Sequence, residues 1–249
     1  MDGIDEPRVN EVEAREVTTR IVQLPSKHLP ANVWRSGAEM QGARLFRRRA
    51  GLDYEAMVES LVETAEPRAG MRALDVETGT GFIARQLSIR VGATGHVVGV
   101  DQSEEMVEQA RLGAHSAGLT MRADWQWASV DRLPFSDDEF DIVTCGAVFH
   151  RLPTNEFLGE AHRVLKPGGR LVIADELKSP AGVLALWLAA LRSYDRFIRR
   201  EPVNPNERFF LAEEIVDMLT VAGFSQMVVK GLQARNRRGR AFSLIKAVK

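Results

Sequence analysis

A strand, a glycine-containing turn and the start of a helix follow one another at residues 73–81, which read ALDVETGTG. Glycines at Gly79 and Gly81 let the backbone approach a ligand and take angles that a Cβ atom would forbid. The next predicted strand ends at Asp101, about twenty residues beyond these glycines. An acid at that point is placed to accept hydrogen bonds from both hydroxyls of a ribose. The segment therefore predicts a nucleoside-containing ligand at a strand–helix turn.

The same residues also fit the dinucleotide fingerprint G-x-G-x-x-G/A, because Ala84 follows Gly79 and Gly81 at the required spacing. Asp75, at the end of the first predicted strand, argues against a nicotinamide dehydrogenase, since a fixed negative charge opposes a pyrophosphate. S-adenosylmethionine (SAM) has no phosphate and carries a cationic sulfonium and an ammonium. An acidic turn therefore favours SAM over a dinucleotide.

Strands and helices alternate along most of the chain. Apolar runs predict strands near residues 71–76, 96–100, 121–129, 140–145, 170–174, 227–232 and 241–248. Helical spacing of apolar residues predicts helices over residues 54–65, 81–90, 104–116, 154–165, 182–200 and 211–222. The alternation predicts an α/β fold: a mostly parallel seven-stranded sheet with helices on both faces, closed by a C-terminal antiparallel hairpin.

The chain divides into an arm and one domain. Residues 1–50 lack sustained apolar periodicity and are predicted to form an N-terminal arm, a candidate lid over the site. Residues 51–249 are predicted to form the ligand-binding domain, with a helical insertion at residues 180–210 near the acceptor. One face of that insertion is apolar and is open to three interpretations: a roof over an apolar acceptor, a homodimer contact, or packing on the sheet. Its residues are Leu184, Trp187, Leu188 and Leu191.

Composition argues against several classes of protein. The net charge of −1 gives no overall attraction to nucleic acid or to an anionic membrane. The single cysteine, Cys145, excludes an internal disulfide and a multi-cysteine zinc site, so no metal is predicted. The start of the chain is acidic, and the longest apolar run, residues 181–191, is too short to span a bilayer. We therefore expect a cytoplasmic protein without a membrane segment.

Four ordered stretches, at residues 75–81, 100–106, 133–143 and 163–169, together resemble the class I SAM-dependent methyltransferases. The resemblance covers roughly residues 54–175 and is strongest to the small-molecule group that includes the ubiquinone/menaquinone-type enzymes. It implies a Rossmann-like fold, SAM as cofactor and S-adenosylhomocysteine (SAH) as product. It also implies methyl transfer to an oxygen, carbon or nitrogen of a small-molecule acceptor.

The resemblance implies a cofactor site assembled from several turns of the chain. Its acidic loop surrounds the methionine part of SAM and comprises Asp75, Glu77, Thr78, Gly79 and Gly81. The resemblance assigns the ribose and the adenine to Asp101, Gln102, Met106, Ser129 and Val130. Gly146, just past the fourth strand, is expected to line the methionine side.

Two positions depart from the family pattern. The family usually has glycine or alanine where Glu77 stands. The carboxylate there has four open interpretations: it binds the cofactor ammonium, faces the acceptor, blocks the pocket, or turns into solvent. Ser129 stands where the family often has an aspartate for the adenine amine, and a hydroxyl is a weaker, neutral acceptor. Both departures bear on cofactor affinity rather than on the fold.

His150, which follows the fourth predicted strand, is the candidate catalytic residue. Methyl transfer depends mainly on positioning, and a general base helps when the acceptor is a hydroxyl or an acidic carbon. Imidazole is suited to that role because it titrates near neutral pH. The alternative is that His150 only anchors its loop.

Two other functions remain open at this stage. The first is a methyltransferase-fold protein that binds a ligand without methyl transfer, because fold alone does not fix function. The second is an RNA methyltransferase that uses the arginines near residues 44–49 and 235–240. Residues 145–148 read CGAV rather than an Asn/Asp-Pro-Pro-aromatic stretch, which argues against an enzyme that methylates base amines.

Overall fold

The computed structural model describes residues 20–22, 37–119, 122–178, 207–232 and 240–249. Its strands are β1 Arg20–Val22, β2 Arg72–Val76, β3 His96–Asp101, β4 Ala123–Trp127, β5 Phe140–Gly146, β6 Leu165–Lys178, β7 Ser225–Leu232 and β8 Arg240–Val248. Its helices are α1 Gly37–Ala50, α2 Tyr54–Ala65, α3 Phe82–Val91, α4 Glu104–Ser116, α5 Thr154–Val164 and α6 Ala212–Val221. A short 3-10 turn covers Phe149–Arg151.

The strands form one sheet in the order β1-β7-β8-β6-β5-β2-β3-β4. Strand β8 runs antiparallel to both of its neighbours, and every other pairing is parallel. The predicted α/β class, the seven mostly parallel strands and the closing antiparallel hairpin are therefore confirmed. The three-residue strand β1 extends the sheet beyond that prediction, by pairing with β7 at its edge.

Helices cover both faces of the sheet because successive strand residues point to opposite sides. Ala73 points to the face covered by α1, α2, α3 and α4, whereas Leu74 points to the face covered by α5 and α6. Each face buries its own apolar cluster. Strands buried on both faces read as continuous apolar runs, which is why the sequence revealed them.

Several predicted boundaries match the structure and others differ. Helices α2 and α4 have the predicted bounds, and the Ser103 hydroxyl caps α4 by accepting a hydrogen bond from the Met106 amide at 3.3 Å. Strand β6 is much longer than predicted, because it continues alongside β8 as far as Lys178. At its start, residues 166–169 lie in a register shift opposite β5. The predicted helix at residues 182–200 lies outside the described residues.

Part of the predicted N-terminal arm packs on the main domain. The ring of Phe46 in α1 meets the rings of Tyr54 and Phe242 edge-to-face, with centroids 5.2 and 5.4 Å apart. Ala50, at the end of the same helix, is buried in the core. The proposed role of the arm as a lid stays a prediction.

The carboxyl ends of the central strands place the site. Strand β2 lies between β3 and β5, so the chain order reverses there, and ligands of open α/β sheets bind at such a crevice. Val76 pairs with Val100 on one side and with Cys145 on the other. The next residues along these strands, Asp101, Glu77 and Gly146, therefore lie side by side at one edge.

Two negative findings apply to the described ranges alone. No helix within them is both long and apolar enough to cross a membrane. Nor do these ranges contain a group of three or more His, Cys, Asp or Glu side chains arranged to hold a metal ion.

The close contact at Gly81 yields a stability prediction. Gly81 has φ +78°, and a Cβ there would lie 2.6 Å from the ring of Trp125. Gly81→Ala should therefore lower the free energy of unfolding by about 2 kcal/mol or more, through backbone strain and overpacking. Urea unfolding checks this value. Gly159→Ala is the matched control: it lies in α5 with open space around it, and it should stabilise by up to about 1 kcal/mol.

Candidate active site

The acidic loop is organised from inside the protein by Asp75. Its carboxylate is fully buried and accepts hydrogen bonds from the hydroxyls of Thr78, at 2.6 Å, and Thr144, at 2.7 Å. Burial raises the pKa of Asp75 to about 6, and the two hydroxyl groups oppose that rise. Both Asp75 and the Thr78 side chain are therefore used in shaping the loop, and the carboxylate does not reach the surface of the site.

Asp101 ties the loop to the next turn of the chain. Its Oδ2 atom accepts a hydrogen bond from the Gly79 amide at 2.8 Å, and its Oδ1 atom accepts one from the Ser103 amide at 2.9 Å. One carboxylate thus connects the glycine turn before α3 to the N-terminus of α4. Each carboxylate oxygen has a second lone pair, which leaves Asp101 able to accept from a ligand hydroxyl.

Glu77 is held in a costly position at the centre of the loop. Its backbone has φ +54°, a left-handed conformation that is unusual for a residue with a Cβ atom. Among the described residues its Oε1 atom is buried without a hydrogen-bond partner, and its Oε2 atom lies 3.5 Å from the Gln102 amide nitrogen. Burial, followed by the negative charge of Asp101, raises the pKa of Glu77 to about 7. The side chain therefore points along the crevice rather than into solvent.

The residues predicted to contact adenine gather beside Asp101. The Ala128 amide donates to the Asp101 carbonyl at 3.1 Å, which brings the turn after β4 to this point. In that turn Ser129 is exposed and Val130 is buried. Gln102 is exposed and Met106 is half-buried in the first turn of α4. The structure thus groups these four predicted residues at one end of the crevice.

Two glycines differ in the space around them. No atom lies within 4 Å of the position that a Cβ on Gly79 would take, so the loop faces open space there. A Cβ on Gly146 would overlap the side chain of Ile83. Gly146 is therefore required by packing under the crevice as well as by its place at the edge of β5.

At the other end of the crevice His150 and Asp175 form a buried pair. The His150 Nδ1 atom lies 2.9 Å from Asp175 Oδ1, and the His150 backbone amide donates to Asp175 Oδ2 at 2.6 Å. A carboxylate only accepts hydrogen bonds, so Nδ1 carries a proton, and in the neutral form of the ring the lone pair lies on Nε2. That Nε2 atom is buried and has no hydrogen-bond partner among the described residues. The histidine is therefore oriented with one free acceptor atom.

Two residues at the end of the predicted insertion cover this pair. The ring of Phe209 stacks on the His150 ring with centroids 4.7 Å apart and an interplanar angle of 15°. The Arg208 amide donates to the His150 carbonyl at 2.7 Å. The imidazole is thus fixed from above by an aromatic ring and from the side by a carboxylate.

Asp175 and Phe209 were missed by sequence reasoning. Asp175 directly follows the predicted strand at residues 170–174 and carried the same signal as Asp101, an acid at the carboxyl end of a strand. Phe209 carried no such signal, because it stands in a polar stretch far from His150 in sequence. The structure stacks its ring on that of His150.

The crevice has the chemistry that SAM requires. Asp101 offers acceptors for ribose hydroxyls, and Glu77 presents a buried oxygen without a partner beside it. Among the described residues, no atom fills the space that a Cβ atom on Gly79 would occupy. Negatively charged carboxylates suit a ligand that carries a sulfonium and an ammonium and has no phosphate. The residues present therefore fit SAM, with Glu77 as the feature that most needs a cationic partner.

Comparison with known proteins agrees with this geometry. A family model described as a methyltransferase domain matches residues 67–200. A ubiquinone/menaquinone biosynthesis C-methyltransferase from Pseudomonas fluorescens is 36% identical over 191 residues, covering 70% of this chain and 72% of that protein. A SAM-dependent methyltransferase structure from Aquifex aeolicus superposes with a TM-score of 0.59, covering 89% of this chain and 99% of that one at 23% identity, which supports the fold.

The fold and the acidic turn define a Rossmann-like methyltransferase, and the chain belongs to the methyltransferase domain family. Within it, the chain belongs to the ubiquinone/menaquinone-type group of class I SAM-dependent methyltransferases. SAM is the cofactor of this group and SAH the product. A ubiquinone/menaquinone biosynthesis C-methyltransferase from Roseobacter denitrificans is 36% identical over 126 residues, which cover 49% of this chain. That match spans 50% of the Roseobacter protein, about half its length.

The two buried acids of the loop make the ligand-free protein sensitive to pH. The pKa values of Asp75 and Glu77 are raised by folding to about 6 and about 7, so the folded protein holds both protons more tightly than the unfolded chain. Their contribution to stability is therefore present at low pH and is lost as pH rises through these values. The free energy of unfolding should fall between pH 5 and pH 8.

Glu77→Gly separates the two contributions. It should raise the free energy of unfolding at pH 8 by about 1 kcal/mol, since glycine adopts a positive φ without strain. It should also remove the part of the pH dependence that lies between the unfolded pKa of Glu77, 4.5, and its folded pKa of about 7. Urea unfolding at pH 5.5 and pH 8 measures both effects. An unchanged pH dependence in Glu77→Gly would show that Glu77 is not the group that titrates there.

Proposed function

We propose that this protein transfers the methyl group of SAM to a small-molecule acceptor that carries an acidic hydroxyl, with His150 as the general base. The observation that carries the proposal is the pair of His150 and Asp175, which leaves the buried Nε2 atom without a partner. A buried acceptor atom without a partner is costly, and such groups are retained where a ligand satisfies them.

The cofactor side of the proposal rests on the loop. Asp101 would accept the ribose hydroxyls, and Gln102, Met106, Ser129 and Val130 would surround the adenine. The methionine part would lie over Thr78, Gly79 and Gly81, with Gly146 beside it. The proposal has support from the placement of all these residues along the carboxyl edge of β2, β3, β4 and β5. When bound, SAM supplies an electrophilic methyl group on a sulfonium that becomes a neutral thioether.

The protein's own residues would prepare the acceptor. Asp175 holds the proton on Nδ1 of His150, which leaves Nε2 to take the proton of the acceptor hydroxyl. The Phe209 ring, stacked on the imidazole, helps to keep water from that atom. The deprotonated oxygen then carries the electron pair that forms the new bond to the methyl group. The proton on Nε2 leaves to solvent after the product departs.

The acceptor class follows from this base and from the relatives. A phenol or hydroquinone that loses its hydroxyl proton spreads the charge onto the oxygen and onto ring carbons. One base at Nε2 therefore serves O-methylation, in which the oxygen forms the new bond, and C-methylation, in which a ring carbon forms it and then loses its own proton to solvent as the ring becomes aromatic again. Two relatives are named for C-methylation in ubiquinone and menaquinone biosynthesis. We accordingly propose a planar hydroxylated aromatic acceptor rather than an amine.

The test is transfer of radiolabelled methyl from SAM to a chosen pair of acceptors. The first is a 1,4-naphthalenediol with a 2-alkyl chain, and the second is an aromatic primary amine of similar size. The diol should be methylated and the amine should not. Transfer to neither, together with tight binding of SAM, would favour the alternative of a methyltransferase-fold protein without methyl transfer. Transfer to RNA instead would favour the RNA methyltransferase.

Variants of the pair test the base directly. His150→Ala should lower kcat about 100-fold, because a general base contributes on that order. Asp175→Asn should lower kcat at least about tenfold, since the histidine tautomer is no longer fixed. Neither should change the dissociation constant of SAM more than about threefold, a range well below one full hydrogen bond to a charge.

The matched control is His162→Gln. The His162 ring packs against Phe224, with centroids 5.1 Å apart, and lies outside the site. It should leave kcat unchanged, whereas His150→Ala should lower it. A kcat that is the same in His150→Ala as in the parent would exclude His150 as the base.

Two further properties, the oligomeric state and the cellular location, are proposed from the sequence alone. The apolar face at Leu184, Trp187, Leu188 and Leu191 favours a homodimer, although these residues lie outside the described ranges. The single cysteine suits a reducing cytoplasm. Light scattering on the purified chain measures the oligomeric state, and a monomer at micromolar concentration would contradict the dimer.

A further inference from the structure

Glu77 lowers the stability of the folded protein in three ways. Its backbone is in the left-handed region, and its carboxylate is half-buried with one oxygen unpartnered. The carboxylate of Asp101 lies near enough to raise its pKa. Strain, an unsatisfied buried atom and like-charge repulsion coincide at functional sites, where a ligand offsets them.

The strand register shows which residues lie on either side of Glu77 along the edge of the sheet. It stands at the end of β2, between Asp101 at the end of β3 and Gly146 at the end of β5. Asp175 follows on β6, one residue after the Ala174 that pairs with Gly146. Glu77 therefore lies between the acid proposed to hold the ribose and the pair proposed to hold the acceptor. The sulfonium of SAM is bonded to the 5′ carbon of that ribose, so its charge belongs to this interval.

The charges around Glu77 are negative from every described element that faces it. Asp101 faces it from β3, and the buried Asp75 lies two residues before it in β2. Among the described residues, no cation is found in contact with it. The thiol of Cys145 on β5 is buried, and its pKa is raised by burial and by the nearby carboxylates, so it adds no positive charge. A cationic ligand is thus the partner that the arrangement lacks.

SAM and SAH differ in the charge that they would place beside Glu77. SAM carries a sulfonium, an ammonium and a carboxylate, for a net charge of +1, whereas SAH lacks the sulfonium charge and is neutral overall. We propose that Glu77 is a specificity residue that makes the site prefer the cationic methyl donor over its neutral product, so that SAH leaves readily after transfer. This inference rests on the proposed use of SAM at this site.

The preference should depend on pH in a defined direction. Below pH 7 Glu77 is largely protonated and neutral, and above it the carboxylate is charged. The affinity ratio of SAM to SAH should therefore rise between pH 6 and pH 8. Binding of SAM near pH 6.5 should also release a proton, since the sulfonium favours the ionised form of Glu77.

The experiment is calorimetric titration of the full chain with SAM and with SAH, for the parent and for Glu77→Gln. The variant removes one negative charge and keeps the shape of the side chain. At pH 7.5 it should lower the affinity ratio of SAM to SAH by about tenfold, as expected for loss of one partly buried charge near another. Titration in two buffers with different ionisation enthalpies should show proton release for the parent and less for the variant.

The matched control is Glu105→Gln, which removes the same charge from an exposed position in the first turn of α4. It should leave the ratio within about twofold, because exposed charges are screened by solvent and salt. Glu77→Gly serves as a second variant, since it relieves the backbone strain and should fold at least as well as the parent. It should lose the preference as fully as Glu77→Gln does.

The outcomes separate this inference from the proposed function. An unchanged affinity ratio in both Glu77 variants, with SAM still bound, would overturn the role of Glu77 and leave the methyltransferase proposal intact. Tighter binding of both ligands by the variants, with no change in their ratio, would identify Glu77 as an obstruction and would also overturn it. Failure of the parent to bind SAM at all would reject the inference and the proposed function together.

Discussion

Asp101 is the residue on which the architecture of the site depends most. A single carboxylate accepts from the Gly79 amide and from the Ser103 amide, and so fixes two helix-starting turns to each other. Because those turns follow neighbouring strands, their separation sets the width of the crevice between them. Asp75 supports the same loop from below, through hydroxyl groups on Thr78 and Thr144. The positions of the cofactor residues follow from these bonds.

The acidic side chains of the site lie along one edge of the sheet, where they reduce the stability of the folded protein. Asp101 ends β3, Glu77 directly follows β2 and Asp175 lies within β6, and the described residues place no cation in contact with Glu77. Such a row of acids is tolerated by a folded protein when part of it is neutralised by protonation or by a ligand. The Glu77 carboxylate, which opposes folding at high pH, is therefore also the group that we propose to recognise a cationic cofactor. His150 is a similar case, because its buried Nε2 atom has no hydrogen-bond partner among the described residues.

Much of this was readable from the sequence because it depends on local patterns. Apolar runs and glycine turns predicted the sheet, and an acid at a strand end predicted Asp101. Asp175 carried the same signal, directly after the strand predicted to end at residue 174, and was missed. The stacking of Phe209 on His150 joins residues separated by a long insertion, and no local pattern encodes it. The orientation of Glu77 depends on a backbone angle that the residue type alone would not predict.

The most direct test of this account is amide hydrogen exchange on the full chain, with and without saturating SAM. The account predicts slower exchange with SAM at Gly79 and Ser103, whose amides donate to Asp101, and in the turn at Ser129 and Val130. Protection should extend to the neighbourhood of His150 only when an acceptor is added. Bound SAM that leaves Gly79 and Ser103 unprotected while slowing exchange elsewhere would contradict the assignment of the cofactor to this edge.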